Sequence, residues 1–295
     1  MEITQAAASK EFYFETYKDS GTAHIYGYKG FEKNIELPTI IGKYIVVSVG
    51  QLEGKRSGFK TVESIVIPYG VKELSDKAFE GCKQLIEVVI PESVEHIGNY
   101  AFYDCVSLTR VNIPHGISQI GMSVFCRCER LRYIKWPNYM EGIASNAFSG
   151  CLSLENIVLP DGIKRLGSGA FFNCTGLKMI VLPDTLQEIE TGVFKRCNKL
   201  ENITLPHNIE YIGNNLFYDC VSLKQIQFQG RIKRVYPYAF WKCSSLESIK
   251  FPESIREIDI CAFKLCGSLK TIWIPETICC IEENAFPKNA EIMFY

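Results

Sequence analysis

Nine of the chain's thirteen cysteines stand 23 residues apart: Cys82, Cys105, Cys128, Cys151, Cys174, Cys197, Cys220, Cys243 and Cys266. A phenylalanine precedes each by three residues, from Phe79 to Phe263, and a tenth follows at Phe286. A leucine follows each cysteine by three, from Leu85 to Leu269. Three registers in phase at one fixed period define a stacked repeat, whose units bury their apolar edges only against their neighbours.

The coil from Leu85 to Cys105 serves as the type. It runs Leu85, Val88, Ile90, Pro91, Val94, Ile97, Gly98, Ala101, Phe102, Cys105, with mostly polar residues between. The Val88 position is Ile or Val in every coil from Ile65 to Ile272. Alternating β-branched residues suit a pleat, which predicts a short strand near residues 86–90. Proline follows at Pro68, Pro91, Pro114, Pro137, Pro160, Pro183, Pro206, Pro252 and Pro275, and lacks the N–H a ladder needs, so it closes the strand. Gln229, followed by Gly230, is the exception. The Asn99 position holds Asp76, Ser145, Ser168, Thr191 and Asn214 elsewhere, residues that cap helices by accepting a backbone N–H. Ala101, Phe102, Cys105 and Leu108 then fall at helix-like spacing, which predicts one short helical turn per coil, held by stacking.

The pattern Leu-x-x-Ile-x-Ile-Pro with a downstream Ala-Phe-x-x-Cys resembles the BspA-type leucine-rich repeats over residues 62–286. The expected fold class is α/β: a right-handed leucine-rich-repeat solenoid, or horseshoe, with a parallel β-sheet on the concave side and short helical turns on the convex side. Residues 1–60 read as an N-terminal β cap and an irregular first coil around Ile35-Glu36-Leu37-Pro38 and Val49-Gly50. Within that cap, residues 12–28 form a β-hairpin turning at Asp19-Ser20-Gly21. Residues 61–295 read as a solenoid of about ten coils closed by a strand at 290–295.

The net charge of −1 and the lack of a basic stripe argue against nucleic acid as a partner. No run of about 18 apolar residues is available for membrane insertion. The first residues lack the features of a secretory leader, which leaves a cytosolic protein or a leader outside this chain.

The cysteine ladder reads as packing, with the thiols free and buried. Stacked equivalents lie about one strand spacing apart, further than the ~3.8 Å between Cβ atoms that a disulfide prefers. Cys126, Cys261, Cys279 and Cys280 lie off the ladder, and Cys126 and Cys261 are expected at the surface. No second cysteine pair completes a zinc site, so no metal or other cofactor is expected. His24, His96, His115 and His207 form no motif with a nucleophile and read as surface residues. The acidic residues show no converging pair, and an enzyme is not expected.

Outward strand positions form two variable columns. One runs Glu87, Arg110, Tyr133, Asn156, Met179, Asn202, Gln225, Ser248, Thr271, and the other Val89, Asn112, Lys135, Val158, Val181, Thr204, Gln227, Lys250, Trp273. Tyr133, Lys135, Asn156, Val158, Met179, Val181, Lys250 and Trp273 are the expected partner-binding residues, semi-apolar with aromatic anchors. A further aromatic column, Tyr103, Phe172, Tyr218 and Trp241, is assigned to packing between turns. The expected function is non-catalytic protein recognition. The family resemblance implies a cell-surface or secreted adhesion protein that binds a host or neighbouring-cell protein. An intracellular, cytoplasmic interaction scaffold and a glycan-binding surface protein are the alternatives.

Overall fold

The structure, a computed structural model, describes residues 10–52 and 58–295. It forms two compact units, residues 1–138 and 139–295. Both are parallel β-solenoids of stacked coils, and each coil contributes two strands.

The first strand of each coil begins two residues after the repeat leucine and carries the Val88 position at its centre, flanked by outward residues. In the first unit, Asn34–Glu36, Ser64–Val66, Glu87–Val89, Arg110–Asn112 and Tyr133–Lys135 pair in parallel as one ladder. The second unit continues the pattern in three paired groups. These are Asn156–Val158 with Met179–Val181, Asn202–Leu205 with Gln225–Phe228, and Ser248–Lys250 with Thr271–Ile274 and Glu291–Phe294. The last of these is the closing strand expected at 290–295. Where Gln229 replaces proline, its N–H donates to the carbonyl of Leu205 at 3.0 Å, a bond proline cannot make.

The sequence reading did not anticipate a second ladder. A two-residue strand ends at the Ile97 position of each coil. In the first unit these include Glu73–Leu74 and His96–Ile97; in the second they run from Gly142–Ile143 to Cys280–Ile281. Their inward residue is buried and their outward residue is exposed or half-exposed in most coils.

The expected helical turns are absent: the described residues are helical only at Lys10 and Glu11. Two backbone positions per coil explain the difference. Tyr100 and Asp104 flank Phe102 with φ of 59° and 60°, and their counterparts, such as Asn215 and Asp219, behave alike. A left-handed residue on either side of the phenylalanine ends any run of right-handed helical residues. Alternate N–H groups then point in two directions. Ala101, Tyr103 and Cys105 donate back three residues, to Gly98, Tyr100 and Phe102. Tyr100, Phe102 and Asp104 donate to Met122, Val124 and Cys126 of the next coil, at 2.8–3.0 Å. The third side is therefore a stack of tight turns, hydrogen-bonded coil to coil. Asp76 and Asn99 do accept a backbone N–H, but across the stack: Asp76 Oδ1 from Asn99 at 2.7 Å, Asn99 Oδ1 from Met122 at 2.8 Å.

The core lies between these three sides. The repeat phenylalanines from Phe79 to Phe263 are fully buried, and Phe286 at the end of the stack is half-buried. In the first unit Phe79, Phe102 and Phe125 stack with centroids 5.2 and 5.3 Å apart; in the second, Phe148 to Phe286 continue at 4.6–6.1 Å. The nine ladder cysteines are buried. Cys261, expected at the surface, is also buried, on left-handed backbone (φ 57°) that turns its side chain from the direction the spacing implied.

At the N-terminal end, β1 (Phe12–Tyr17) and β2 (Thr22–Tyr28) form the expected antiparallel hairpin. Its turn closes through Gly21, left-handed at φ 68°, whose N–H reaches Tyr17 at 3.0 Å. β2 pairs in parallel with Tyr44–Val49, which pairs with Glu73–Leu74, so the hairpin begins the second ladder. His24 is buried there, between Ser48 Oγ (2.7 Å) and the Gly50 carbonyl (2.9 Å), and is not the surface residue expected. Among the described residues no helix is long and apolar enough to cross a membrane.

Candidate binding surface

Strand alternation sets the outward face of the first ladder. With Ile157 and Ile180 buried in the core, the residues on either side must project outward. In the second unit, Asn156 pairs in register with Met179, and Val158 with Val181. All four are exposed, Val158 to 60% and Met179 and Val181 to 46% each. The fold thus gathers four of the expected residues into one patch, with three apolar side chains in contact with water. Its edge is electrically balanced: Lys178 Nζ meets Glu155 at 2.7 Å, and two coils on Lys224 meets Glu201 at 2.9 Å.

Further along this unit the face becomes neutral and hydrogen-bonding through Asn202, Thr204, Gln225 and Gln227, with Thr204 Oγ1 donating to Gln227 Oε1 at 3.4 Å. Lys250 and Trp273 follow as a register pair. Lys250 is exposed, and its Nζ stands 4.7 Å from the ring centroid of Tyr295. Trp273 is only half-exposed, since Met293 and the closing strand lie beside it. Sequence reasoning missed Met293 and Tyr295 as parts of this face; alternation in Glu291–Phe294 was the available signal.

Tyr133 and Lys135 belong to the first unit, on the strand paired with Arg110–Asn112. Both are exposed, Tyr133 to 61%. The turn-side aromatics Tyr218 and Trp241 stack at 4.4 Å, and Lys195 Nζ lies 4.3 Å from the Tyr218 centroid, in keeping with packing between turns.

One histidine–carboxylate pair stands on the surface. His115 Nδ1 meets Glu92 Oε2 at 2.9 Å, and the His115 N–H to the same oxygen holds that carboxyl below its usual range. Both side chains of the pair are exposed. Among the described residues no three histidines, cysteines or carboxylates are grouped as metal ligands.

A family model for the BspA-type leucine-rich repeat region, with six copies, matches residues 57–178 and 167–293. Comparison with curated proteins finds no match. Among solved structures, a leucine-rich repeat protein from Bacteroides ovatus is 24% identical, with 97% of this chain and 98% of that chain covered and a TM-score of 0.52. A leucine-rich cell surface protein from Faecalibacterium prausnitzii is 25% identical, covering 96% and 93%, with a TM-score of 0.52. The pneumococcal vaccine antigen PcpA is 18% identical, covering 96% and 91%, with a TM-score of 0.56.

Proposed function

Because the chain belongs to the BspA-type leucine-rich repeat family, we propose that it is a non-catalytic scaffold at a cell surface or in secreted material, binding a protein partner through the outward face of its first ladder. One observation carries this reading: Val158, Met179 and Val181 are apolar, exposed and fixed on paired strands. Each strand is anchored by buried Ile157 or Ile180, so the patch needs little ordering when it meets a partner. Tyr133, Lys135, Asn156, Lys250 and Trp273 supply aromatic, cationic and amide contacts on the same ladder face of their own units, the mix found at interface centres and rims. The surface location draws support from the Faecalibacterium relative, which is described as a cell surface protein.

The test is a protein array of extracellular matrix and cell-surface proteins, probed with the wild-type chain and with a Val158→Glu, Met179→Glu, Val181→Glu variant. The reading expects a partner whose binding falls at least about tenfold in the variant, with the melting temperature held. Equal binding by a folded variant rejects this face.

A further inference from the structure

At one seam of the second unit both ladders lose their strand pairing. Between Glu188–Ile189 and Tyr211–Ile212 the second ladder is not paired, although both strands pair with neighbours on their other sides. The first ladder breaks between the same two coils, at Met179–Val181 and Asn202–Leu205. The turn side remains closed: Gly192, Phe194 and Arg196 donate to Asn214, Leu216 and Tyr218 at 2.8–3.1 Å. The two coils are therefore hydrogen-bonded at the turns and adjacent but unpaired at the ladders.

A trough of about 430 Å³ lies at this seam on the second-ladder face, within the size range of small-molecule sites. Gly213 is part of its lining. Glycine at this frame position is usually forced by packing. A Cβ on Gly98 would stand 2.3 Å from the Asp76 nitrogen, and one on Gly167 would stand 2.5 Å from the Ser145 nitrogen. On Gly213 the nearest atom would be the Ile189 carbonyl oxygen at 3.4 Å, and the backbone is not left-handed. Glu190, Tyr236 and Asp259 occupy the same position in neighbouring coils. The fold therefore tolerates a side chain at 213, and its lack leaves the trough open.

The lining has a definite chemistry. Tyr211 and Tyr236 set two rings 6.2 Å apart at 59°, forming a corner. Arg234 lies over one face of the Tyr236 ring, 4.9 Å from its centroid, and is itself paired to Glu257 and Asp259 at 2.8 and 3.0 Å. Asn214 and Gln187 add amides that both donate and accept, and Asn208, whose Nδ2 already donates to the Asp184 carbonyl at 2.9 Å, adds its amide oxygen. Two of the lining carboxylates are already matched: Glu190 to Arg165 and Ser168, and Glu210 to Lys233. Glu188 adds one more acceptor. Acceptors, amides and aromatic faces without an excess of cations repel phosphate and suit a neutral ligand with many hydroxyls and an apolar C–H face.

We propose that the seam at Gly213 binds a pyranose unit of a neutral glycan, with Tyr211 and Tyr236 against its C–H face and the amides and Glu188 on its hydroxyls. This site lies on the other ladder from the protein-recognition face and stands independently of it.

The experiment is saturation-transfer NMR on the full chain with methyl glucoside, methyl galactoside, methyl mannoside and N-acetylglucosamine at millimolar concentration. The proposal expects transfer to at least one of these sugars. That signal should fall at least about tenfold in Gly213→Leu, which fills the trough, and in Tyr211→Ala. Tyr211 is 47% exposed, so its variant carries the test if Gly213→Leu fails to fold. Transfer to none of the four sugars, or undiminished transfer in a folded variant, overturns the proposal.

Discussion

The thiol of Cys220 donates to the carbonyl oxygen of Phe194, 26 residues earlier, at 3.0 Å. The N–H of Cys197 reaches the same carbonyl at 3.1 Å, so the thiol fills the oxygen's second acceptor site. The arrangement recurs from Cys105–Phe79 to Cys266–Phe240 at 3.0–3.3 Å. The cysteine column is thus chosen for size and for a weak donor.

Burial pushes the Cys220 thiol up to about 12, and those of Cys105, Cys197 and Cys243 also rise well above their ordinary value of 9.0. At pH 8 a thiol with such a pKa is thiolate in only ~10⁻⁴ of molecules, and thiolate is the reactive form. Native protein titrated with a disulfide reagent should show Cys279 and Cys280 reacting fast, Cys126 more slowly, and the ladder only after denaturation. Because folding raises these pKa values, the neutral thiols contribute their stability in full below about pH 9. That stability is lost as pH climbs toward 12. The urea midpoint should therefore fall between those limits, and a Cys220→Ala variant should fall less steeply.

The left-handed positions can be tested by a matched pair. Leu265 holds φ 65° with its side chain 53% exposed. Gly192 holds φ 63°, and a Cβ there would meet nothing closer than 3.7 Å. Leu265→Gly should stabilise, and Gly192→Ala destabilise, each by about 1 kcal/mol, as read from urea midpoints. Equal and opposite signs would tie the effect to backbone conformation, since Leu265 is half-exposed and a Cβ on Gly192 meets only ordinary contacts.

The seam predicts a local difference in amide exchange. The Gly167 and Tyr236 amides donate to Ile143 and Ile212, each at 2.8 Å, as part of inter-coil pairing. Gly213 occupies the same frame position at the unpaired seam. By NMR its amide should exchange much faster than those of Gly167 and Tyr236, because local opening governs protection. In the same frame, Gly98→Ala should cost about 1–3 kcal/mol through its clash with Asp76, while Gly213→Ala should be nearly neutral.

Most of this architecture could be read from residues that the stack constrains. Phe102, Cys105, Val88 and Pro91 recur because each touches its own equivalent one coil away, and periodicity exposes that directly. The hairpin cap was legible from Asp19-Ser20-Gly21. The helical turn was misread because Ala101, Phe102 and Cys105 have helical spacing, while the conformation is set by Tyr100 and Asp104. Their residue types vary as Lys, Tyr, Ser, Asn, Gly and Cys at one position. Only the scatter of Gly, Asn and Asp there hinted at a left-handed backbone. The second ladder was missed because two residues are too few to alternate. Surface columns are free of stacking constraints, so Val158 and Met179 could be placed outward by register. Trp273 was judged exposed because the closing strand beside it lies outside the repeat.

One coil is 23 residues, and the coils are interchangeable in frame. Deleting Lys199–Val221 removes 23 residues and joins Asn198 to Ser222, which restores Cys-x-x-Leu across the junction. Deleting Lys199–Glu210 removes 12 and joins Asn198 to Tyr211, half a period out. Circular dichroism with urea unfolding should show the first variant folded and cooperative with modestly reduced stability, and the second unfolded or aggregated. Equal damage from both deletions, or a better fold from the shorter one, would contradict the stacked-coil account.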